Sequence, residues 1–284
     1  MTEPIMETAA GHGVKIQLAQ WDDKGKPIFC IHGITANCRC WDVMASSLSP
    51  DHRVIAMDLR GRGRSESPDS GYSIEHHCKD ILAILDDMEL EKVVIMGHSL
   101  GAFIAMAFGA QHPDRVDRII LVDGGGKLSQ IQMMKVFRGI KPSLDRLGRI
   151  FPSFEDYLDL MKTAPFFKEW TPVLETYYQY EIEKVEGGVR SSINPAHIQE
   201  ERENLEKVDI SQSYETIFCP LLILRATDGM VGEDDLLLPQ DVVETMVHKI
   251  PHARYVDIPG TNHYSIVFDQ NGIRDRAIRE FLEE

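Results

Sequence analysis

The chain is short of everything that staples a protein or anchors it. Its five cysteines, Cys30, Cys38, Cys40, Cys78 and Cys219, are an odd number with no Cys-x-x-Cys pair. A disulfide framework or a thiolate metal site is therefore not expected, and a reducing, cytoplasmic compartment is. Cys30 and Cys219 sit in apolar runs and read as small buried hydrophobes. No apolar run nears the ~20 residues that span a bilayer. Met1 to Gly13 has neither the basic start nor the apolar stretch of a signal peptide. Positive charge is scarce too: 30 Lys and Arg stand against 45 Asp and Glu, a net charge of −15. Such a surface cannot readily assemble a basic face for nucleic acid, and it repels anionic membranes. There is no internal repeat, no G-x-x-x-x-G-K-[ST] phosphate loop and no His-Glu-x-x-His metal pair. No cofactor and no metal are expected.

What is present is an alternation of short apolar runs with helical patterns. Gly13 to Trp21 alternates apolar and polar and predicts a first strand. Ile28 to Ile31, Val54 to Met57, Lys92 to Met96 and Val116 to Val122 are short, continuous and apolar, as strands buried on both faces are. Between them lie a helix over Cys40 to Leu48, one after the N-cap Ser73, and an Ala-rich one from Ala102 to Ala110. Strand–helix alternation of this kind predicts parallel strands with crossover helices, an α/β sheet. Ligand sites in such sheets lie beyond the carboxyl ends of the strands. His32, Asp58, Ser99 and Asp123 all fall there.

The pattern breaks at Lys127. From there to about Gln212 no buried strand is expected, and short aromatic-rich helices are punctuated by prolines. This predicts a helical cap, residues 127–212, inserted into a core of residues 1–126 and 213–284. The sheet resumes at Leu221 to Leu224 and again at Tyr255 to Ile258, and a helix over Ile273 to Leu282 closes the chain. Glu233, Asp234 and Asp235 could suggest a metal, but they read better as a solvated loop.

Gly97-His98-Ser99-Leu100-Gly101 sits between a buried strand and a helix. A serine on so sharp a turn occupies strained backbone, and its close neighbours cannot carry side chains. A serine hydroxyl needs an adjacent base, and the base needs an orienter. An acid, Asp228, and a histidine, His263, follow at later strand ends. In these residues, with His32-Gly33-Ile34-Thr35, the run Asp58 to Ser65 and Gly260-Thr261-Asn262-His263, the chain resembles an α/β-hydrolase of the cap-bearing, esterase-like branch, from about Gly13 onward.

The resemblance implies a Ser–His–Asp triad. Ser99 would attack an acyl carbon, His263 would relay the proton, and Asp228 would orient the imidazole. Asp123 is the rival acid, because some family members carry it after the preceding strand. Arg225 stands where the family commonly has a small residue, and the segment from Gly229 to Leu238 is longer than the usual turn. The oxyanion hole would be the backbone N–H groups of Ile34 and Leu100. His98 reads as a packing residue and His32 as a brace for its loop. The expected activity is that of a carboxylesterase, acting through an acyl-enzyme on small-to-medium apolar esters. Alternatives on the same triad are lactone, thioester or carbon–carbon bond hydrolysis, or perhydrolysis; a non-catalytic binding or receptor protein is the alternative of another class. The partner expected is a small-molecule ester, and a homo-oligomer is left open.

Overall fold

The short apolar runs become the middle of one eight-stranded sheet in a computed structural model, which describes residues 2–284. Its strands are β1 (Ile5–Ala10), β2 (Lys15–Trp21), β3 (Lys26–Ile31), β4 (His52–Met57), β5 (Val93–His98), β6 (Val116–Val122), β9 (Leu221–Ala226) and β10 (Ala253–Ile258). A separate hairpin, β7 (Ile182–Val185) and β8 (Gly188–Ser191), belongs to the insertion. The sheet order is β1-β2-β4-β3-β5-β6-β9-β10. β1, β2 and β4 pair antiparallel, and every other neighbour in the sheet is parallel.

Period-two alternation sends each strand's side chains to two different cores. Phe29, Ile31, Ile95, Ile119, Leu121 and Ile223 face one layer. Cys30, Met96, Ile120, Val122, Leu222 and Leu224 face the other. The first layer is covered by α2 (Ile74–Asp87), α3 (Leu100–Gln111) and α9 (Gln240–Lys249). The second is covered by α1 (Asp42–Leu48), α10 (Ser265–Phe268) and α11 (Gly272–Glu283). Ser73 caps α2 as expected, its Oγ accepting the His76 N–H. The α3 helix is buried from Leu100 to Gly109, which is why its sequence is apolar on every side.

Between β6 and β9 the chain forms α4 (Gln130–Gly139), α5 (Lys141–Asp145), α6 (Phe154–Lys162), α7 (Pro172–Glu181), the β7–β8 hairpin and α8 (Pro195–Leu205). The insertion is thus mostly helical but not wholly so. The hairpin is four residues per strand and bridges to Phe151, whose N–H and C=O both bond Val189 at 2.8 Å. Segments so short carry too few alternating positions to be read as strands. The other unexpected element is β1. It is a mostly exposed edge strand, so burial leaves little pattern in its sequence. It is fixed from outside, by the Asp87 carboxylate accepting the Ala10 N–H at 2.9 Å and Asp80 accepting that of His12 at 2.9 Å.

Small residues on α3 let it lie directly on the sheet. A methyl group at Gly101 would run into the backbone carbonyls of Ile31 and His32, neither of which can move aside as a side chain can. Gly101→Ala should therefore destabilise the fold by about 3 kcal/mol, the upper end of ordinary overpacking. The urea midpoint of the purified variant, compared with that of the parent, measures this.

Candidate active site

Ser99 follows the last residue of β5 and precedes the first of α3, with φ 57° and ψ −120°. A non-glycine residue in this left-handed region is held there at a cost of about 1–3 kcal/mol. Two hydrogen bonds hold it: its N–H donates to Val122 O at 3.2 Å, and its C=O accepts from the Ala102 N–H at 3.0 Å. Glycine is required around it. Side chains at Gly97 or Gly101 would strike backbone, and a methyl at Gly124 would come within 2.7 Å of the Ser99 carbonyl oxygen.

The turn after β3 faces the serine from across a narrow gap, since a methyl at Gly33 would stand 3.4 Å from Ser99 Oγ. The Gly33 carbonyl is turned away and held twice. It takes the His32 Nδ1–H at 2.7 Å and the Ala36 N–H at 3.1 Å. His32 Nε2 accepts the Leu59 N–H at 3.0 Å, which assigns the proton to Nδ1. In a planar trans peptide the N–H points opposite to the C=O, so fixing Gly33 O also fixes the Ile34 N–H. That N–H bonds nothing among the described residues. Leu100 opens α3, so its N–H has no acceptor within the helix.

His263 comes five residues beyond β10, in a loop folded around Asn262. The Asn262 side chain accepts the Tyr264 and Ser265 N–H groups at 2.9 Å each and donates to Phe166 O at 2.9 Å. His263 Nδ1 lies 2.7 Å from Asp123 Oδ2, and both side chains are buried. The carboxylate accepts, so Nδ1 carries the proton, and in the neutral ring the lone pair is on Nε2. The second Asp123 oxygen accepts the Ala226 N–H at 3.1 Å. Ser99 and His263 line one cavity of about 30 Å³, with Ile34, Ile140, Tyr178 and Phe268 among its walls.

The expected acid, Asp228, is not at this site. It lies two residues past the end of β9, its side chain 40% exposed and 3.1 Å from Lys168 Nζ. Its N–H bonds Thr261 O at 2.9 Å, and its Oδ1 accepts from Thr227 Oγ1 at 3.1 Å. The backbone turn after β9 points this carboxylate outward, and the place beside the imidazole is filled by Asp123. Asp123 itself has φ 44°, a second strained non-glycine residue at a strand end. The odd sequence around Asp228 has its own partners. Arg225 pairs with Asp257 at 2.7 Å. Asp235 is not solvated as expected: it is buried and accepts the N–H groups of Met230, Val231 and Gly232 at 2.6, 2.9 and 3.1 Å. No cluster of three metal-ligating side chains occurs among the described residues.

A further histidine, His98, buttresses the site. His98 Nε2 donates to His263 O at 2.9 Å, and the two rings lie 4.5 Å apart. Burial lowers the pKa of His98 well below that of a free imidazole. His98 therefore does more than pack: it holds the main chain of the His263 loop.

The sequence pattern of the alpha/beta hydrolase fold matches residues 26–270. The chain belongs to that family. It is 28% identical over 262 residues to a 3-hydroxybutyrate-oligomer hydrolase of Cupriavidus necator, covering 86% of this chain and 85% of that one. An uncharacterized protein of Mycobacterium tuberculosis is 40% identical over 135 residues, and the match spans only 39% of that relative's length. Among solved structures, E-2-(acetamidomethylene)succinate hydrolase superposes with a TM-score of 0.85 at 20% identity, covering 99% of this chain and 100% of that one.

Burial pushes the pKa of His32 down to about 3, so the ring is neutral in the folded protein. An unfolded chain takes up that proton near pH 6.5. Between pH 6.5 and 3 the unfolded state thus binds one more proton, and stability falls as pH falls through that window. His32→Gln should remove up to about 1.4 kcal/mol per pH unit of that slope. Urea unfolding of parent and variant at pH 7, 5.5 and 4 measures it; parallel curves would count against the assignment.

Proposed function

We propose that this chain is a serine hydrolase of carboxylic esters. Ser99 is the nucleophile, His263 the base and then the acid, and Asp123 the group that orients the imidazole. The observation that carries this reading is the 2.7 Å bond to Asp123 from His263, which lines one cavity with the strained Ser99. A proton held on Nδ1 leaves Nε2 free to accept from a serine hydroxyl. Attack on an ester carbon places negative charge on the carbonyl oxygen. The free N–H groups of Ile34 and Leu100 would stabilise it, each contributing about 3 kcal/mol. Collapse expels the alcohol, protonated by His263, and water then hydrolyses the acyl-enzyme by the same relay.

The small cavity and its apolar walls favour a short acyl group, and the insertion that supplies Ile140, Tyr177 and Tyr178 acts as the cap. The likeness to a 3-hydroxybutyrate-oligomer hydrolase supports ester substrates. A polar wall, Ser143 Oγ 2.8 Å from Tyr264 OH, favours a second reading on the same groups. In it the substrate is a lactone, thioester or carbon–carbon compound with a hydroxyl or carbonyl beside the reacting carbon. Five free thiols support a reducing, cytoplasmic setting.

A panel of p-nitrophenyl esters and lactones, with labelling by a fluorophosphonate, tests the reading. Ser99→Ala should abolish turnover and labelling. Asp123→Asn should lower kcat by about 10³- to 10⁴-fold, the cost of the wrong imidazole tautomer. Asp228→Asn should change kcat less than about twofold, as surface substitutions away from a site do. Full activity in the Ser99 variant would sink the proposal, and collapse in the Asp228 variant with activity kept in the Asp123 variant would reverse the choice of acid.

A further inference from the structure

Three consecutive carbonyls of the loop that faces Ser99 are each held by a buried side chain. Gly33 O is held by His32, as described. Ile34 O accepts Arg62 Nε–H at 3.1 Å, and Thr35 O accepts an Nη2–H of Arg146 at 2.8 Å. Both guanidinium groups are buried, and each is tied to a buried glutamate of the insertion. Arg62 Nη2 lies 3.1 Å from Glu201 Oε2 on α8. Arg146 forms a two-pronged pair with Glu181, the last residue of α7, at 2.8 and 2.7 Å. His77 Nε2 lies 2.7 Å from the same Glu201 oxygen, and Tyr157 OH donates to Glu181 Oε1 at 2.6 Å.

A guanidinium is a rigid planar fork, so fixing one edge on a carboxylate fixes where the remaining N–H groups point. Arg62 also donates to Arg60 O at 3.0 Å and Arg146 to Ser143 O, which removes their remaining freedom to swing. We propose that Glu181 and Glu201 are positioning residues: through Arg146 and Arg62 they hold the Gly33–Thr35 loop so that the Ile34 N–H faces Ser99. The effect on turnover rests on the hydrolase reading above; the effect on the loop does not.

Several observations favour positioning over plain packing. The ion pairs do not end on each other but continue to the main chain of one short loop. The two glutamates come from different helices of the insertion and reach adjacent carbonyls. Burial alone would raise the Glu201 carboxyl, but His77 and Arg62 beside it bring its pKa down to about 2, so it stays charged wherever the protein is folded near neutrality. The charge that orients Arg62 is therefore permanent. The insertion and the oxyanion loop are coupled, and the hole is complete only when the insertion is seated.

Glu201→Gln and Glu181→Gln keep the shape of the side chains and remove the charge. Arg62→Lys keeps the charge opposite Glu201 and gives up the planar fork that serves Ile34 O and Glu201 together. These three variants act at different points of the network, so one that fails to fold leaves the others to decide. Each is expected to lower kcat by about tenfold or more with KM changed less than about twofold, because an oxyanion contact is made chiefly in the transition state. Hydrogen exchange of the 33–38 segment should quicken in the same variants relative to the parent. Unchanged kcat and exchange, with only KM or melting temperature altered, would overturn the proposal and leave these pairs as packing. A parent protein that turned over no ester would overturn the hydrolase reading instead. The exchange of residues 33–38 would then still judge the loop.

Discussion

The structure depends on how closely backbone can approach backbone around Ser99. A φ of 57° on a residue with a side chain is tolerable only if its surroundings leave no alternative. Here β5 ends against β6 so that Val122 O takes the Ser99 N–H, and α3 starts at once and lies against the turn after β3. Each of these contacts would fail with a methyl group at Gly97, Gly101 or Gly124. The same close approach brings Gly33 beside the serine, where α3 begins with an N–H that has no acceptor within the helix. Strain at one residue, parallel strand order and the placement of two free amides are thus consequences of a single packing requirement.

A second constraint is the burial of charge at the carboxyl edge. Asp58, just past the end of β4, is in no ion pair among the described residues. It is satisfied by the N–H groups of Cys38 and Arg64 at 2.7 and 2.9 Å and by Tyr180 OH at 2.6 Å. Burial pushes its pKa above the ordinary carboxylate value. Arg62 and Arg146, by contrast, are paired with buried glutamates. An unpartnered charge in such surroundings is strongly destabilising, whereas one paired through directional hydrogen bonds fixes geometry. All three groups run from the insertion to the segment 33–38 or to the groups beside it. The insertion is therefore not a loose lid of aromatics. It is joined to the sheet's edge by directional bonds where the proposed chemistry would occur.

How much of this was legible in the sequence differs from residue to residue. The central strands were readable because burial on both faces leaves unbroken apolar runs such as Ile28 to Ile31. The strand–turn–helix around Ser99 and the strand-end place of His263 were readable because glycine spacing and strand-end position are local signals. β1 and the β7–β8 hairpin were not, since their partners are an exposed edge and a short insertion with little burial to write a pattern. The choice between Asp123 and Asp228 was not readable either. Both follow strands at the same edge, and what separates them is the direction of one turn, set by the Ala226 N–H on one acid and Lys168 on the other. The buried glutamates were invisible for the same reason: Glu181 and Glu201 sit in charged helical sequence, and only tertiary packing shows that they face inward.

The position of the acid also accounts for the two features of the β9 end that depart from the family's usual pattern. With the imidazole held by Asp123 from the neighbouring strand β6, the turn after β9 need not present a carboxylate to the interior. What β9 supplies is a backbone N–H, at Ala226, and a backbone donor makes no demand on side-chain identity. A large residue is then permitted just before it, and Arg225 reaches sideways to Asp257 on β10. The segment beyond is likewise free to lengthen, and it does so around a core of its own, with Asp235 collecting three consecutive amides. A buried carboxylate with three N–H donors gives that loop a fixed shape. The residues that looked anomalous beside Asp228 are ordinary once the orienting carboxylate stands one strand away.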